Sequence, residues 1–412
     1  MKTTISSKFI HLPSVKEAED ILRSCVHCGF CNATCPTYQE LQDERDGPRG
    51  RIYLMKQFLE GGDVSERTRT HLDRCLTCRS CETTCPSGVK YGRLLDISRN
   101  LMEKELPRSS INTTKRWVLR QLLPAPKIFS TLLKLAQLTR PFMPKIIKSK
   151  IPSKQNSNQK NSLWPKTVHN RVMLLLQSCG QASATPNTNI SATRVLNRLG
   201  ISLVVAPQTG CCGAVSYHLG AHDEGLDYMR RNIDAWWPAI KSGAEAIVVT
   251  ASGCGPMVQE YGHLLANDKN YAEKALHVSK IAKDLSEIVA HEDLNKLTLK
   301  PGSDKIAIHV PCTLQHGMGL PDSVNDVLIQ SGFDVVKTKE SHLCCGSAGT
   351  YSLLQPKMSQ QLLKRKISAL TINTPDKIVT ANIGCQLHIQ STSQQPVQHW
   401  IEILDQACNN KD

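Results

Sequence analysis

The stretch Cys25–Thr37 reads CVHCGFCNATCPT, and Cys75–Gly88 repeats its spacing as CLTCRSCETTCPSG. Each is a C-x2-C-x2-C-x3-C-P run. Three thiols at three-residue steps wrap one corner of a cubane, while the fourth sits on a new segment and reaches a neighbouring one. This is the spacing of chains that hold a pair of [4Fe–4S] clusters. The proline opens the new segment without needing a backbone N–H. The pattern pairs Cys25, Cys28 and Cys31 with Cys85, and Cys75, Cys78 and Cys81 with Cys35. Zinc also binds CxxC pairs, but it closes with four ligands and matches two such runs poorly.

Between the runs, Arg51–Glu60 and Ser65–Arg74 carry helical periodicity, with Gly61-Gly62 as a break. A small β-type ferredoxin has little room for them, so residues 1–100 are expected to form an all-α domain with two [4Fe–4S] clusters. Residues 101–170 read as a basic helical connector ending in the polar stretch 149–162. The remaining nine of the 17 cysteines lie beyond it.

Eight of those nine reveal a duplication. Cys179, Cys211-Cys212 and Cys254 in one copy correspond to Cys312, Cys344-Cys345 and Cys385 in the next. The single cysteine precedes the pair by 32 positions in both copies (179 to 211, 312 to 344). Short apolar runs precede these cysteines (Val172–Leu176, Ile201–Val205, Ala246–Thr250, Ile306–Val310, Lys377–Thr380), and helical patterns such as Glu224–Ile240 and Pro356–Leu370 lie between. Strands alternating with helices imply parallel α/β units, with the cysteines at the carboxyl ends of the strands. The expected fold is therefore α plus α/β: a helical ferredoxin domain, then α/β halves over 171–300 and 301–412.

The 412 residues carry a formal charge of +14. Residues 101–170 hold 14 Lys and Arg against Glu103 and Glu105. The charge thus belongs to the connector, which argues against nucleic acid as a partner; a zinc-stabilised, basic nucleic-acid-binding protein is the remote alternative. Leu, Ile, Phe and Trp interleaved through 117–147 suggest a peripheral contact with an anionic membrane or an acidic partner. The N-terminus has no apolar signal region, and charges and prolines interrupt the most apolar stretch, so the expected location is cytoplasmic, with the cytoplasmic face of the inner membrane as the runner-up. No G-x-G-x-x-G after a strand, P-loop or nucleophile elbow is evident, so no catalytic residue is assigned, and two-electron chemistry is expected on a partner.

Tandem Cys…CCG…Cys halves behind a double ferredoxin motif resemble the electron-transfer subunits of glycolate oxidase, lactate utilisation, anaerobic glycerol-3-phosphate dehydrogenase and heterodisulfide reductase. The likeness is greatest to glycolate oxidase iron–sulfur subunits. It is carried by Cys25–Thr37, DGPRGRIY at Asp46–Tyr53, Leu72–Gly88, NIDAWWPAI at Asn232–Ile240, TASGCG at Thr250–Gly255, HLCCGSAGTY at His342–Tyr351 and TANIGCQ at Thr380–Gln386. The resemblance implies an oxidoreductase complex in which a flavin subunit oxidises glycolate to glyoxylate. This chain would then pass electrons to a membrane quinone or another acceptor; lactate or glycerol 3-phosphate are the alternative substrates. Heterodisulfide reductase-like halves end in CxxC, whereas here Met257 and His388 stand at the last positions. Cys179, Cys211, Cys212 and Cys254, and Cys312, Cys344, Cys345 and Cys385 with His388, are thus candidate centres for an iron–sulfur group or zinc, or redox-capable thiols without metal. Met257, Cys408 and the Trp236-Trp237 pair read as packing or ordinary residues. His218, His309, His316 and His342 read as ordinary histidines, with hydrogen bonding to a cluster sulfur as the sharper alternative.

Overall fold

The computed structural model describes residues 1–143, 148, 151–152, 164–165 and 167–409. The polar stretch 149–162, apart from residues 151–152, lies outside the described residues, as do 144–147 of the basic segment.

No strand occurs among the described residues before Arg171. Helices Pro13–Ser24, Pro48–Leu59, Glu66–Asp73 and Tyr91–Glu105 enclose a core that includes Leu22, Met55, Leu59, Leu94 and Leu95. Pro13 and Pro48 open their helices, where a missing N–H costs nothing. The Ser65 hydroxyl accepts from the Thr68 N–H at 3.3 Å to start the third. The Tyr91–Glu105 helix runs through residue 100, and Leu101 and Met102 join the helical core.

Helices Ser110–Leu122 and Pro126–Thr139 follow, and neither buries a residue. Ion pairs hold this segment down: Arg108 and Arg116 to Asp73 at 2.6 and 3.0 Å, and Arg120 to Glu224 at 3.1 Å.

The rest is two parallel four-stranded sheets. Strands β1 (Arg171–Leu176), β2 (Ile201–Val204), β3 (Ile247–Val249) and β4 (Ala282–Asp284) lie in the order β2-β1-β3-β4. Strands β5 (Lys305–His309), β6 (Asp334–Val336), β7 (Lys377–Thr380) and β8 (Val397–His399) repeat it as β6-β5-β7-β8. The order reverses between β1 and β3, and between β5 and β7, which opens a crevice at the carboxyl ends of those strands.

One apolar core runs through both halves, from Leu175 and Val248 to Ile308, Val379 and Trp400. Helix Trp400–Ala407 at the end of the second half lies against helix Pro186–Arg198 of the first. At that seam Arg194 pairs with Asp405, and the Thr188 hydroxyl donates to Glu402 Oε1 at 2.6 Å.

Burial pushes the Glu402 carboxyl up to about 7. The folded chain then holds a proton that the unfolded chain releases near 4.5, so stability is highest below that pH and falls as pH rises toward 7. Glu402→Gln should remove this slope, worth up to about 3 kcal/mol across the window. Denaturant unfolding of both proteins between pH 4.5 and 7 checks it; parallel curves would refute the assignment.

Candidate metal centres

The two cysteine runs of the helical domain fold alike. His27 and Gly29 in the first, and Thr77 and Arg79 in the second, all take positive φ, between 56° and 90°. That conformation is costly for a β-branched threonine, and such strain gathers at functional loops. It turns backbone toward sulfur: the Thr77 N–H lies 3.4 Å from Cys75 Sγ.

Two hollows result. One of about 430 Å³ is lined by Cys25, Cys28, Cys31, Cys81 and Cys85. The other, of about 300 Å³, is lined by Cys35, Cys75, Cys78 and Cys81. Each hollow thus gathers three cysteines of one run and the last cysteine of the other, with Cys81 bordering both. Burial, then neighbouring thiols, push Cys31 up to about 11, and burial drives Cys78 and Cys81 well above the thiol range. Crowded thiols of this kind become thiolates only around a cationic centre, and an all-sulfur donor set fits an iron–sulfur group.

A buried guanidinium flanks the second hollow. Arg51, 1% exposed, donates to the His71 carbonyl (2.7 Å), Thr37 Oγ1 (3.1 Å) and Asp46 Oδ1 (3.4 Å). Asp46 also receives Arg74 at 2.8 Å, and Thr37 Oγ1 lies 3.3 Å from Cys35 Sγ. Tyr91, fully buried, stands by Cys75. No spacing rule marks Arg51 or Tyr91; only packing places them here.

In each α/β half the cysteines sit at the crevice. Cys179 and Cys254 follow β1 and β3, while Cys312 and Cys385 follow β5 and β7. The glycine after each CC pair has a steric cause. Gly213 and Gly346 have φ near +90°, and a Cβ there would stand 2.7 Å from the Gly225 carbonyl or 2.6 Å from that of Ser359. In the first half Cys179 touches Cys211, Cys211 touches Cys212, and Cys212 touches Cys254. The second half repeats the chain, with Cys312 Sγ 3.8 Å from Cys344 Sγ and contacts onward to Cys345 and Cys385.

The histidines separate by role. The His388 Nε2 lies 3.1 Å from Ser359 Oγ, whereas the nitrogen donor grouped within 4.8 Å of Cys345 and Cys385 belongs to His309. No ligand motif marks His309, but it stands three residues before Cys312 where the first copy has Leu176 three before Cys179. His218 Nδ1 lies 3.1 Å from Asp96 Oδ1, and His316 bridges Thr83 Oγ1 (2.9 Å) and the His342 carbonyl (3.1 Å). Met257 and Trp236 are buried in the apolar core of the first half, and Cys408 packs at the edge of the shared core.

The helical domain touches both halves. Arg93 donates to the Tyr217 hydroxyl at 3.1 Å, and Arg79 pairs with Glu260 at 2.5 Å. On the other side the Tyr351 hydroxyl donates to the Arg74 carbonyl at 2.9 Å, and Arg365 pairs with Glu40 at 3.1 Å. Here Leu76, Cys344, Tyr351 and Met358 form one apolar cluster, with Cys78 and Cys312 packed against it. Cysteines of the second hollow and of the second half therefore share one buried boundary.

A helical domain with two sulfur-lined hollows, seated on a duplicated cysteine-bearing α/β unit, defines an iron–sulfur electron-transfer protein. Residues 21–89 match the 4Fe-4S dicluster domain, and residues 173–259 and 306–390 match the cysteine-rich domain. The chain is 51% identical over its full length to the full-length glycolate oxidase iron-sulfur subunit of Escherichia coli, and it belongs to that family. It is 28% identical to the probable glycolate oxidase iron-sulfur subunit of Bacillus subtilis, over 90% of this chain and 89% of that one. A crystal structure of a hypothetical protein from Helicobacter pylori shares the fold, with a TM-score of 0.55 and 12% identity, over 98% of this chain and 74% of that one.

Arg51→Met should make the group held beside Cys35 and Cys75 harder to reduce, because a buried cation favours the more negative reduced state. The expected shift is downward, on the order of tens of millivolts. An EPR-monitored redox titration reads it, and an unmoved or raised potential would contradict the role given to Arg51.

Proposed function

We propose that this chain is the electron-carrying subunit of a glycolate-oxidising complex, receiving electrons from a flavin subunit and delivering them to a membrane quinone or another acceptor. The observation that carries this reading is the shared boundary at which Cys78 packs with Cys312 and Cys344. Protein that separates redox groups with apolar packing lets electrons cross and keeps water out.

Two [4Fe–4S] clusters, when bound, would each take up and release one electron. Cys25, Cys28, Cys31 and Cys85 would hold one, and Cys75, Cys78, Cys81 and Cys35 the other. The crossed lining of the hollows supports that division. Arg51 places positive charge beside the second set, while Leu76 and Tyr351 shield it from solvent. The cysteines of the α/β halves, closely packed at the crevices, are suited to further centres.

Anaerobically purified protein is expected to be brown with about eight iron per chain, and Cys35→Ser or Cys85→Ser should each remove about half. Colourless, zinc-loaded protein would overturn the reading. Deleting the chain should abolish growth on glycolate; unimpaired growth there with loss on lactate or glycerol 3-phosphate would move the assignment to one of those substrates.

A peripheral membrane position is favoured by one surface. Ile128, Leu132, Leu135, Leu138 and Phe142 are exposed along the Pro126–Thr139 helix and its end, flanked by Lys127, Lys134 and Arg140. An exposed apolar stripe with basic flanks suits an anionic lipid surface. Sedimentation with phosphatidylglycerol vesicles should weaken about tenfold in the double variant Leu132→Glu/Leu135→Glu; equal sedimentation would leave the helix as a connector only.

A further inference from the structure

The two α/β halves align in sequence at the single cysteine and the CC pair, and the alignment exposes a difference. Leu176 ends β1 three residues before Cys179; His309 ends β5 three residues before Cys312. Both face the interior, 1% and 2% exposed. The fold therefore accepts an apolar side chain at this position, and the imidazole is there for another reason.

His309 has no hydrogen-bond partner on either ring nitrogen. A buried polar group left in that state costs on the order of 1–3 kcal/mol per missing bond. One donor atom of His309 lies within 4.8 Å of both Cys345 Sγ and Cys385 Sγ, which themselves lie within that distance of each other. Around a tetrahedral ion, Zn–S bonds of about 2.3 Å and Zn–N bonds of about 2.0 Å place neighbouring donors roughly 3.5–4 Å apart, so small rotations close the set. Cys344 lies outside that group of three, but its thiol contacts that of Cys345, which makes it the fourth donor nearest to hand.

A second difference concerns charge. The equivalent contacts of Gly213 with Gly225 and of Gly346 with Ser359 place Asn232 and Lys366 at the same step, seven residues on, in the two copies. Asn232 donates to the Cys211 carbonyl at 2.9 Å. Lys366, 2% exposed beside the second set of thiols, donates from Nζ to the Glu340 carbonyl at 2.6 Å. A divalent ion with three thiolates and a neutral imidazole carries one net negative charge, which an ammonium offsets. The first half has Leu176 in place of the nitrogen donor, and the cation at its CC pair is Arg231, which donates to the Cys211 carbonyl at 3.1 Å.

We propose that the second half binds one mononuclear divalent ion of the zinc class through His309, Cys344, Cys345 and Cys385, and that the first half has no counterpart of this site. Soft thiolates with one imidazole select zinc among the divalent ions. The site is separate from the iron–sulfur pair, so its failure and the failure of the electron-carrying reading are distinguishable by element.

The test uses the full chain, purified anaerobically, with zinc and iron measured by mass spectrometry. Wild type should carry about one zinc alongside its iron. His309→Leu, which copies the first half, should lose nearly all zinc and keep its iron, while His388→Ala should keep both. Zinc-edge X-ray absorption of wild type should report three sulfurs and one nitrogen. Should His309→Leu fail to fold, His309→Cys serves instead, and its zinc shell should become four sulfurs. Absence of zinc from wild type, a four-sulfur shell in wild type, zinc retained in His309→Leu, or zinc lost in His388→Ala alone would each overturn the proposal.

Discussion

In the helical domain each sulfur-lined hollow is closed by a cysteine from the other run: Cys85 borders the hollow of Cys25, Cys28 and Cys31, and Cys35 borders that of Cys75, Cys78 and Cys81. Neither hollow is complete unless segments some fifty residues apart in the chain are held side by side. The helices between and after the runs perform that task. Pro48–Leu59 carries Arg51 into the interior, where Asp46 is satisfied by Arg51 and Arg74 together. A buried carboxylate with several cationic and polar partners is costly to expose, so this network ties the two runs rigidly to one another.

The same logic of distant sulfurs brought together governs the α/β halves. A doubly wound sheet reverses its order next to β1 and β5, and the crevice there collects cysteines from three loops. Gly213 and Gly346 let the CC pair turn tightly over the following helix, which makes the CCG signature a steric requirement as well as a chemical one. Because the halves share one apolar core, their crevices are fixed relative to each other and to the helical domain lodged against both. Rigidity of that kind suits electron transfer, in which the groups should move little as charge passes.

The halves have nonetheless diverged in chemistry on a common frame. Leu176 against His309, and Asn232 against Lys366, are changes at equivalent buried positions, where polar or charged side chains are retained only for a purpose. The crevice of the second half also packs against Cys78 in an apolar cluster, while the first half meets the helical domain through Arg93 with Tyr217, Arg79 with Glu260, and a hollow that Gly253, Pro256 and Met257 line together with Cys78. Both halves thus border the helical domain near Cys78 and contact it through polar side chains, but only the second brings its cysteines into a shared apolar cluster there.

Much of this was legible in the residues themselves. The cysteine spacings, the helical periodicity between the runs and the 32-residue repeat are local or periodic features, and they sufficed for the fold class, a helical domain followed by a duplicated α/β unit. The strands expected at Val172–Leu176, Ile306–Val310 and Lys377–Thr380 all form within a residue or so, because short β-branched and aliphatic runs between helical patterns have few other ways to be buried. What only the tertiary structure decided is which side chains meet across the chain. Arg51 beside Cys35 and Cys75, Cys78 beside Cys344, and His309 beside Cys345 depend on packing between elements far apart in sequence. No spacing rule encodes such contacts; they follow from how the sheets, the shared core and the helical domain close on one another.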